Sequence, residues 1–271
     1  MLLAIDVGNT NIAFGIYDPF APAARPSLTG SEQAAGNHWA HHWRIQTAPD
    51  KMPDEYAVLF ASLLRESELS LGEVQRVVVC SVVPALTSTL SEMFERQTTA
   101  ELLIVGPGVR TGLRIRTDNP AEVGGDLVAN AVAAHARFQS NCIVVDFGTA
   151  LTFTAVAENG DLLGVAIAPG LRAAASALAS NTAQLPHVRL VPPPTAIGRN
   201  TVHSIQSGVV FGYIGLVEAL IRRMRAELGG EAIAVATGGL ARVIAPLSDA
   251  FASIEPWLTL DGLRLIAERN P

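Results

Sequence analysis

One short pattern occurs twice in this chain and limits its architecture more than any bulk property. Ala4-Ile5-Asp6-Val7-Gly8-Asn9 and Val144-Val145-Asp146-Phe147-Gly148-Thr149 each put an aspartate at the end of an apolar, strand-like run, with a glycine two residues later. The predicted elements around the two copies follow the same order. In the first half, strands are predicted over 2–6 and 11–17 and near 42–47, from alternating or continuous apolar residues. Pro53 opens an amphipathic helix with Tyr56, Leu59, Phe60, Leu63 and Leu64 at helical spacing. A strand at 76–80, a helix over 84–96 and a strand at 102–105 follow. The order then restarts with a helix over 121–137, strands at 142–146, 150–157 and 162–168, helices over 170–180 and 200–226, a strand at 232–236 and a closing helix near 259–268. This predicts an α/β protein of two similar lobes, 1–117 and 118–271, each with a mixed five-stranded sheet flanked by helices. Residues 19–38, rich in Pro, Ala, Gly and Ser, predict an exposed loop.

Composition narrows the function classes. The 271 residues are 49% hydrophobic and 16% charged, which implies a well-buried globular chain. A net charge of -6 gives no electrostatic footprint for nucleic acid. No uninterrupted apolar run approaches the ~20 residues that span a bilayer. The N-terminus enters Leu2-Leu3-Ala4-Ile5-Asp6 without a basic, cleavable leader, so a cytoplasmic location is expected. Cys80 and Cys142 sit in apolar runs and read as small buried hydrophobes in a reducing compartment. The six histidines show no catalytic or zinc-binding spacing.

The first acidic turn has the makings of a phosphate site. Gly8 allows close backbone approach, the tight hairpin aims successive N–H groups one way, and Asn9 and Thr10 add side-chain donors. Asp6 at the strand end suits Mg²⁺ held through water, because Mg²⁺ takes one or two carboxylates plus phosphates. An ordinary Asn-Gly hairpin is the other reading, and the echo at Asp146-Phe147-Gly148-Thr149 favours the phosphate site. Two such lobes face to face match the nucleotide cleft of duplicated ribonuclease-H-like folds. Thr237-Gly238-Gly239, after an apolar strand, suits an adenosine-side wall or a plain strand-to-helix turn. Asn119-Pro120 starts a helix in which Gly124-Gly125 costs roughly 1 kcal/mol per glycine against alanine, a sign of close approach by a ligand or another backbone. Asp126 beside them is a candidate proton acceptor. From the residues alone, a favourable charge at a helix N-terminus is the better reading of it.

Together these motifs resemble the type III pantothenate kinase family over nearly the whole chain. The resemblance rests on Ile5-Asp6-Val7-Gly8-Asn9-Thr10-Asn11, Asp118-Asn119-Pro120, Glu122-Val123-Gly124, Asp126, Asp146-Phe147-Gly148-Thr149-Ala150 and Ala166-Ile167-Ala168-Pro169-Gly170. Ile197-Gly198, Asn200-Thr201, Gln206-Ser207-Gly208, Ala236-Thr237-Gly238-Gly239-Leu240, Leu260 and Gly262-Leu263 extend it. It implies an actin-like ATPase fold, a cytoplasmic homodimer, and ATP-dependent phosphorylation of pantothenate, the first step of coenzyme A biosynthesis. It assigns ATP and its Mg²⁺ to Asp6, Val7, Gly8, Asn9, Thr10, Asn11, Thr149, Gly238 and Gly239. It makes Asp126 the general base and gives Asp146 a monovalent cation, K⁺ or NH₄⁺. Thr117, Gly124, Gly125, Asp126, Leu127 and Thr201 fall on the substrate side.

Two departures lie on that substrate side. The family pattern Gly-Ala-Asp-Arg reads Gly124-Gly125-Asp126-Leu127 here, and Thr117 stands where a tyrosine is frequent. A lost charge-assisted hydrogen bond, ~1.5–3 kcal/mol, corresponds to roughly ten- to a hundredfold in binding. Arg172, Arg114 and Arg116 are the candidates to replace that charge. The expected activity is pantothenate phosphorylation. The alternatives are a nucleotide-binding paralogue with a regulatory or accessory role, and a kinase for another small hydroxylated acid or amide.

Overall fold

The computed structural model describes residues 1–20 and 39–271, so most of the loop expected over 19–38 lies outside the described residues, and His38 with it. The strands are β1 (Leu2–Val7), β2 (Asn11–Tyr17), β3 (Trp39–Gln46), β4 (Arg76–Ser81), β5 (Glu101–Ile104), β6 (Arg114–Ile115), β7 (Cys142–Phe147), β8 (Ala150–Val156), β9 (Asp161–Pro169), β10 (Ile233–Thr237) and β11 (Ser253–Ile254). The helices are α1 (Pro53–Glu66), α2 (Pro84–Gln97), α3 (Gly125–Phe138), α4 (Leu171–Ser180), α5 (Thr201–Gln206), α6 (Gly212–Glu227), α7 (Ala241–Ile244) and α8 (Leu258–Arg269).

Packing divides the chain into two compact units that no single cut separates. One holds Met1–Thr111, Val123–Ala129 and Thr259–Pro271; the other holds Gly112–Glu122 and Asn130–Leu258. Residues 118–122 thus group with the second unit and 123–129 with the first. The last helix also returns to the first unit, by contacts that sequence order does not show.

The sheet of the first unit has the order β3-β2-β1-β4-β5. β1 is antiparallel to β2 and parallel to β4, β2 is antiparallel to β3, and β4 is parallel to β5. The second unit repeats every one of these relations with β9-β8-β7-β10-β11. Its sheet has six strands instead of the expected five, because β6 adds to the outer edge of β9. Two residues are too few for a periodic signal. β6 is held by Arg114 Nε and Arg116 Nε on the Asp161 carboxylate, at 2.6 and 3.4 Å.

Strand alternation sends Leu3, Ile5 and Val7 of β1 into one core with Ile12, Phe14, Val77 and Val79. Tyr56, Phe60 and Leu64 of α1 and Leu86, Leu90, Met93 and Phe94 of α2 close that face. Ala4, Val78 and Cys80, on the opposite face, are also fully buried. Several side-chain contacts fasten α8 to this unit. Trp39 Nε1 donates to Asp261 Oδ1 at 2.7 Å, Arg76 Nη1 donates to the Ala267 carbonyl at 2.7 Å, and the Arg264 guanidinium lies 4.9 Å from the Tyr17 ring centre.

The second unit packs Ile143, Val145, Phe147, Leu151 and Phe153 against α4, α5 and α6. The expected continuous helix over 200–226 is interrupted by a π-helical turn at Ser207–Phe211 between α5 and α6. Thr201–Glu227 is the one described stretch with the length and mean hydropathy of a membrane-crossing helix, yet Ile205, Val209, Val210, Val217 and Ile221 along it are core residues. Both cysteines are free and buried, as expected.

Candidate functional site

In the first unit, Asp6 and Val7 end the central strand β1, and Gly8, Asn9 and Thr10 form the turn into Asn11 of β2. The Gly8 N–H donates to the Asn11 carbonyl at 3.0 Å and closes the turn. The side chains of Asn9, Thr10 and Asn11 are exposed. Thr47, just beyond β3, holds this turn from behind: its hydroxyl donates to the Gly8 carbonyl at 2.6 Å, and its N–H donates to the Thr10 carbonyl at 3.0 Å. Thr47 is buried. Sequence reasoning missed it because its partners lie 37 to 39 positions earlier.

Gly124, Gly125, Asp126 and Leu127 belong to the same unit. The helix expected from 121 begins at Gly125, after a 3-10 turn at Pro120–Glu122. Asp126 is in the first turn of α3, where the Leu127 N–H donates to its Oδ1 at 2.9 Å. Burial holds the Asp126 carboxyl above the usual carboxylate range, against the lowering effect of backbone N–H donors from Leu127 and from Asp126 itself. A carboxyl shifted in that direction is a stronger proton acceptor than a solvated one.

In the second unit, Asp146 is flanked by Thr152 on β8 and Thr237 on β10 as direct cross-strand neighbours. Asn130 of α3, almost fully buried, donates from Nδ2 to Asp146 Oδ2 at 3.2 Å. Gly238 has φ 90°, and a Cβ there would overlap Asp146 Oδ1. The backbone after β10 therefore lies directly on the acid, and only glycine fits. Thr149 is exposed in the second turn, with its carbonyl against Gly170, and Gly239 is exposed beyond Gly238. Thr117 has a buried hydroxyl with no hydrogen-bond partner. Thr201 is exposed at the start of α5, capped by Asn200. Arg114 and Arg116 are both engaged by Asp161, while Arg172 is exposed on α4.

No group of three or more His, Cys, Asp or Glu that could hold a metal ion occurs among the described residues. A divalent ion that takes most of its ligands from phosphates and water fits the single carboxylate of Asp6 beside an exposed turn.

Comparison with known proteins identifies the family. The family model for type III pantothenate kinase matches residues 2–223. A type III pantothenate kinase of Moorella thermoacetica is 48% identical over 270 residues, covering 100% of both chains. One of Myxococcus xanthus is 44% identical over 270 residues, covering 100% of this chain and 99% of its own. Among solved structures, a protein of Sinorhizobium meliloti described as a 2-dehydro-3-deoxygalactonokinase aligns with TM-score 0.57 at 11% identity, covering 99% of this chain and 98% of its own. A Campylobacter jejuni protein described as a Baf family transcriptional activator aligns with TM-score 0.56 at 17% identity, covering 99% and 98%. The fold is the duplicated α/β fold of actin-like kinases, and the chain belongs to the type III pantothenate kinase family.

Proposed function

We propose that this protein transfers the γ-phosphoryl group of ATP to the primary hydroxyl of pantothenate, giving 4′-phosphopantothenate and ADP. The observation that carries the reading is full-length identity of 44 to 48% to type III pantothenate kinases.

Residue roles follow from the chemistry. The Asp6–Asn11 turn offers N–H and side-chain donors to the ATP phosphates, with Thr149, Gly238 and Gly239 as further ATP contacts. Bound Mg²⁺, held by Asp6 through water, would offset charge on the phosphates. The carboxylate of Asp126 takes the proton of the acceptor hydroxyl as its oxygen attacks the γ-phosphorus, and the bond to the β-phosphate oxygen breaks. Thr117, Gly124, Gly125, Leu127 and Thr201 form the acceptor side. The unpartnered Thr117 hydroxyl supports this, since a buried polar group without a partner costs ~1–3 kcal/mol that a bound ligand can restore. Asp146, with hydroxyl-bearing Thr152 and Thr237 beside it, is the residue for a monovalent cation, K⁺ or NH₄⁺, because such ions take oxygen ligands.

The reading includes a cytoplasmic homodimer. Exposed Ile167 and Ile197 in the second unit offer apolar surface for a second copy. Sedimentation at micromolar protein tests the dimer.

An ADP-release assay of wild type and Asp126→Asn tests the proton acceptor. The variant should bind ATP normally and lose about 10²- to 10⁴-fold in kcat. An Asp126→Asn enzyme within a few-fold of wild type would remove Asp126 from that role.

A further inference from the structure

The glycine at position 125 has a specific physical cause, and it lies on another strand. Cys80 of β4 is the direct neighbour of Asp6 across the parallel β1–β4 ladder, and it is fully buried. A Cβ placed on Gly125 would stand 2.8 Å from Cys80 Sγ, closer than real side chains approach. The backbone of the first turn of α3 therefore rests on the sulfur, one residue before Asp126. The same helix meets a second close backbone approach further along, where a Cβ on Gly262 of α8 would overlap the carbonyl oxygen of Ala129. Both contacts are too tight to admit even a methyl group, which leaves the start of the helix little room to shift at either point. All of these residues lie in the first unit.

We propose that Cys80 is a positioning residue for the phosphoryl-transfer step, its sulfur setting the height of the α3 N-terminus and so the place of the Asp126 carboxylate. The thiol takes no part in the chemistry. Burial, with the Asp6 and Asp126 carboxylates nearby, pushes its pKa well above the usual thiol range and keeps it as neutral S–H. What it supplies is volume. The proposal rests on Asp126 as proton acceptor and adds a partner to it. A displacement of about 1 Å at a reacting group can cost on the order of a hundredfold in rate, so the sulfur–glycine contact falls in a range that kinetics can read.

The test is a double-mutant cycle with Gly125→Ala and Cys80→Ala, measuring kcat and KM for both substrates beside thermal melting. Gly125→Ala alone should lower kcat at least about tenfold with KM for ATP within about twofold. Adding Cys80→Ala makes room for the new methyl and should recover most of that loss, although Cys80→Ala alone lowers kcat a few-fold. Should Gly125→Ala fail to fold, Cys80→Val pushes on the same turn from the strand side and should show the same fall in kcat at constant KM for ATP. The proposal is overturned if folded Gly125→Ala keeps wild-type kcat, if Cys80→Ala gives no recovery, or if Cys80→Val changes melting without changing kcat. Asp126→Asn is the control. If it stays active, the reading of Asp126 has failed; if it is dead while the cycle shows no coupling, only the role of Cys80 has failed.

Discussion

The two acidic turns occupy the same place in two copies of one sheet, yet their neighbours differ in kind. Asp6 has Ala13 and Cys80 beside it on the adjacent strands, whereas Asp146 has Thr152 and Thr237. The first turn spans Gly8, Asn9 and Thr10 and is tied down by Thr47; the second spans only Gly148 and Thr149, with Gly238 pressed onto its aspartate. Duplication kept the backbone and changed the chemistry. The first turn has small neutral flanks and exposed donors, which suits anionic phosphate oxygens. The second sets threonines on both neighbouring strands and a buried amide on its carboxylate, which suits an acid held in place.

That contrast breaks most visibly in cation dependence. On the cation role proposed for Asp146, Asp146→Asn should abolish most of any rate gain on adding K⁺ while the response to Mg²⁺ stays unchanged. Asp6→Asn should raise the Mg²⁺ concentration needed for half-maximal rate and leave the K⁺ response in place. Each effect should be about tenfold or more, as expected when a charged partner worth ~1.5–3 kcal/mol is removed. Titrating each salt against initial rate checks both, and the same change from either variant would mean the two acids serve one ion.

Glycine substitutions sharpen the comparison through stability. At Gly238 a side chain meets positive φ, costing ~1–3 kcal/mol, and an overlap with Asp146 of similar cost. Gly238→Ala should therefore lower Tm by roughly 10 °C, at ~2–4 °C per kcal/mol for a chain of this size. At Gly8 the nearest atom to an added Cβ is the Asn11 carbonyl oxygen, at 3.1 Å. Gly8→Ala should cost less than about half as much in a melting curve.

The two turns were legible in sequence because strand, aspartate and glycine are neighbours in the chain. So was the order of the main elements, since apolar periodicity is local. What sequence missed depends on distant partners. Thr47 acts on Gly8, Asn130 acts on Asp146, and Cys80 explains a helix-start glycine that sequence reads only as a cost. The two-residue strands β6 and β11 carry no period to detect. The return of α8 to the first unit rests on partners distant in the chain, such as Trp39 on Asp261 and Ala129 against Gly262, which no pattern within α8 announces.

A smaller effect separates Asp126 from both turn acids. Its carboxyl pKa is raised by burial, so the folded state holds the proton more tightly than the unfolded chain. Below the unfolded value, ~3.9, both states are protonated and Asp126 costs nothing. As pH rises through the raised folded value the cost develops, and above it the cost is fully present. Asp126→Asn should accordingly melt above wild type at neutral pH, with the gap closing towards pH ~4. A constant gap across that range would mean that the carboxyl is not destabilised by burial.

The central claim is that the acceptor is pantothenate, although Leu127 stands where the family pattern has arginine. Purified protein with ATP, Mg²⁺, K⁺ and millimolar pantothenate, followed by mass spectrometry of the products, tests it directly. The account predicts 4′-phosphopantothenate in amounts equal to the ADP released, and a lower rate with other hydroxylated acids and amides. ADP release without phosphopantothenate, or faster turnover of another acceptor, would contradict it.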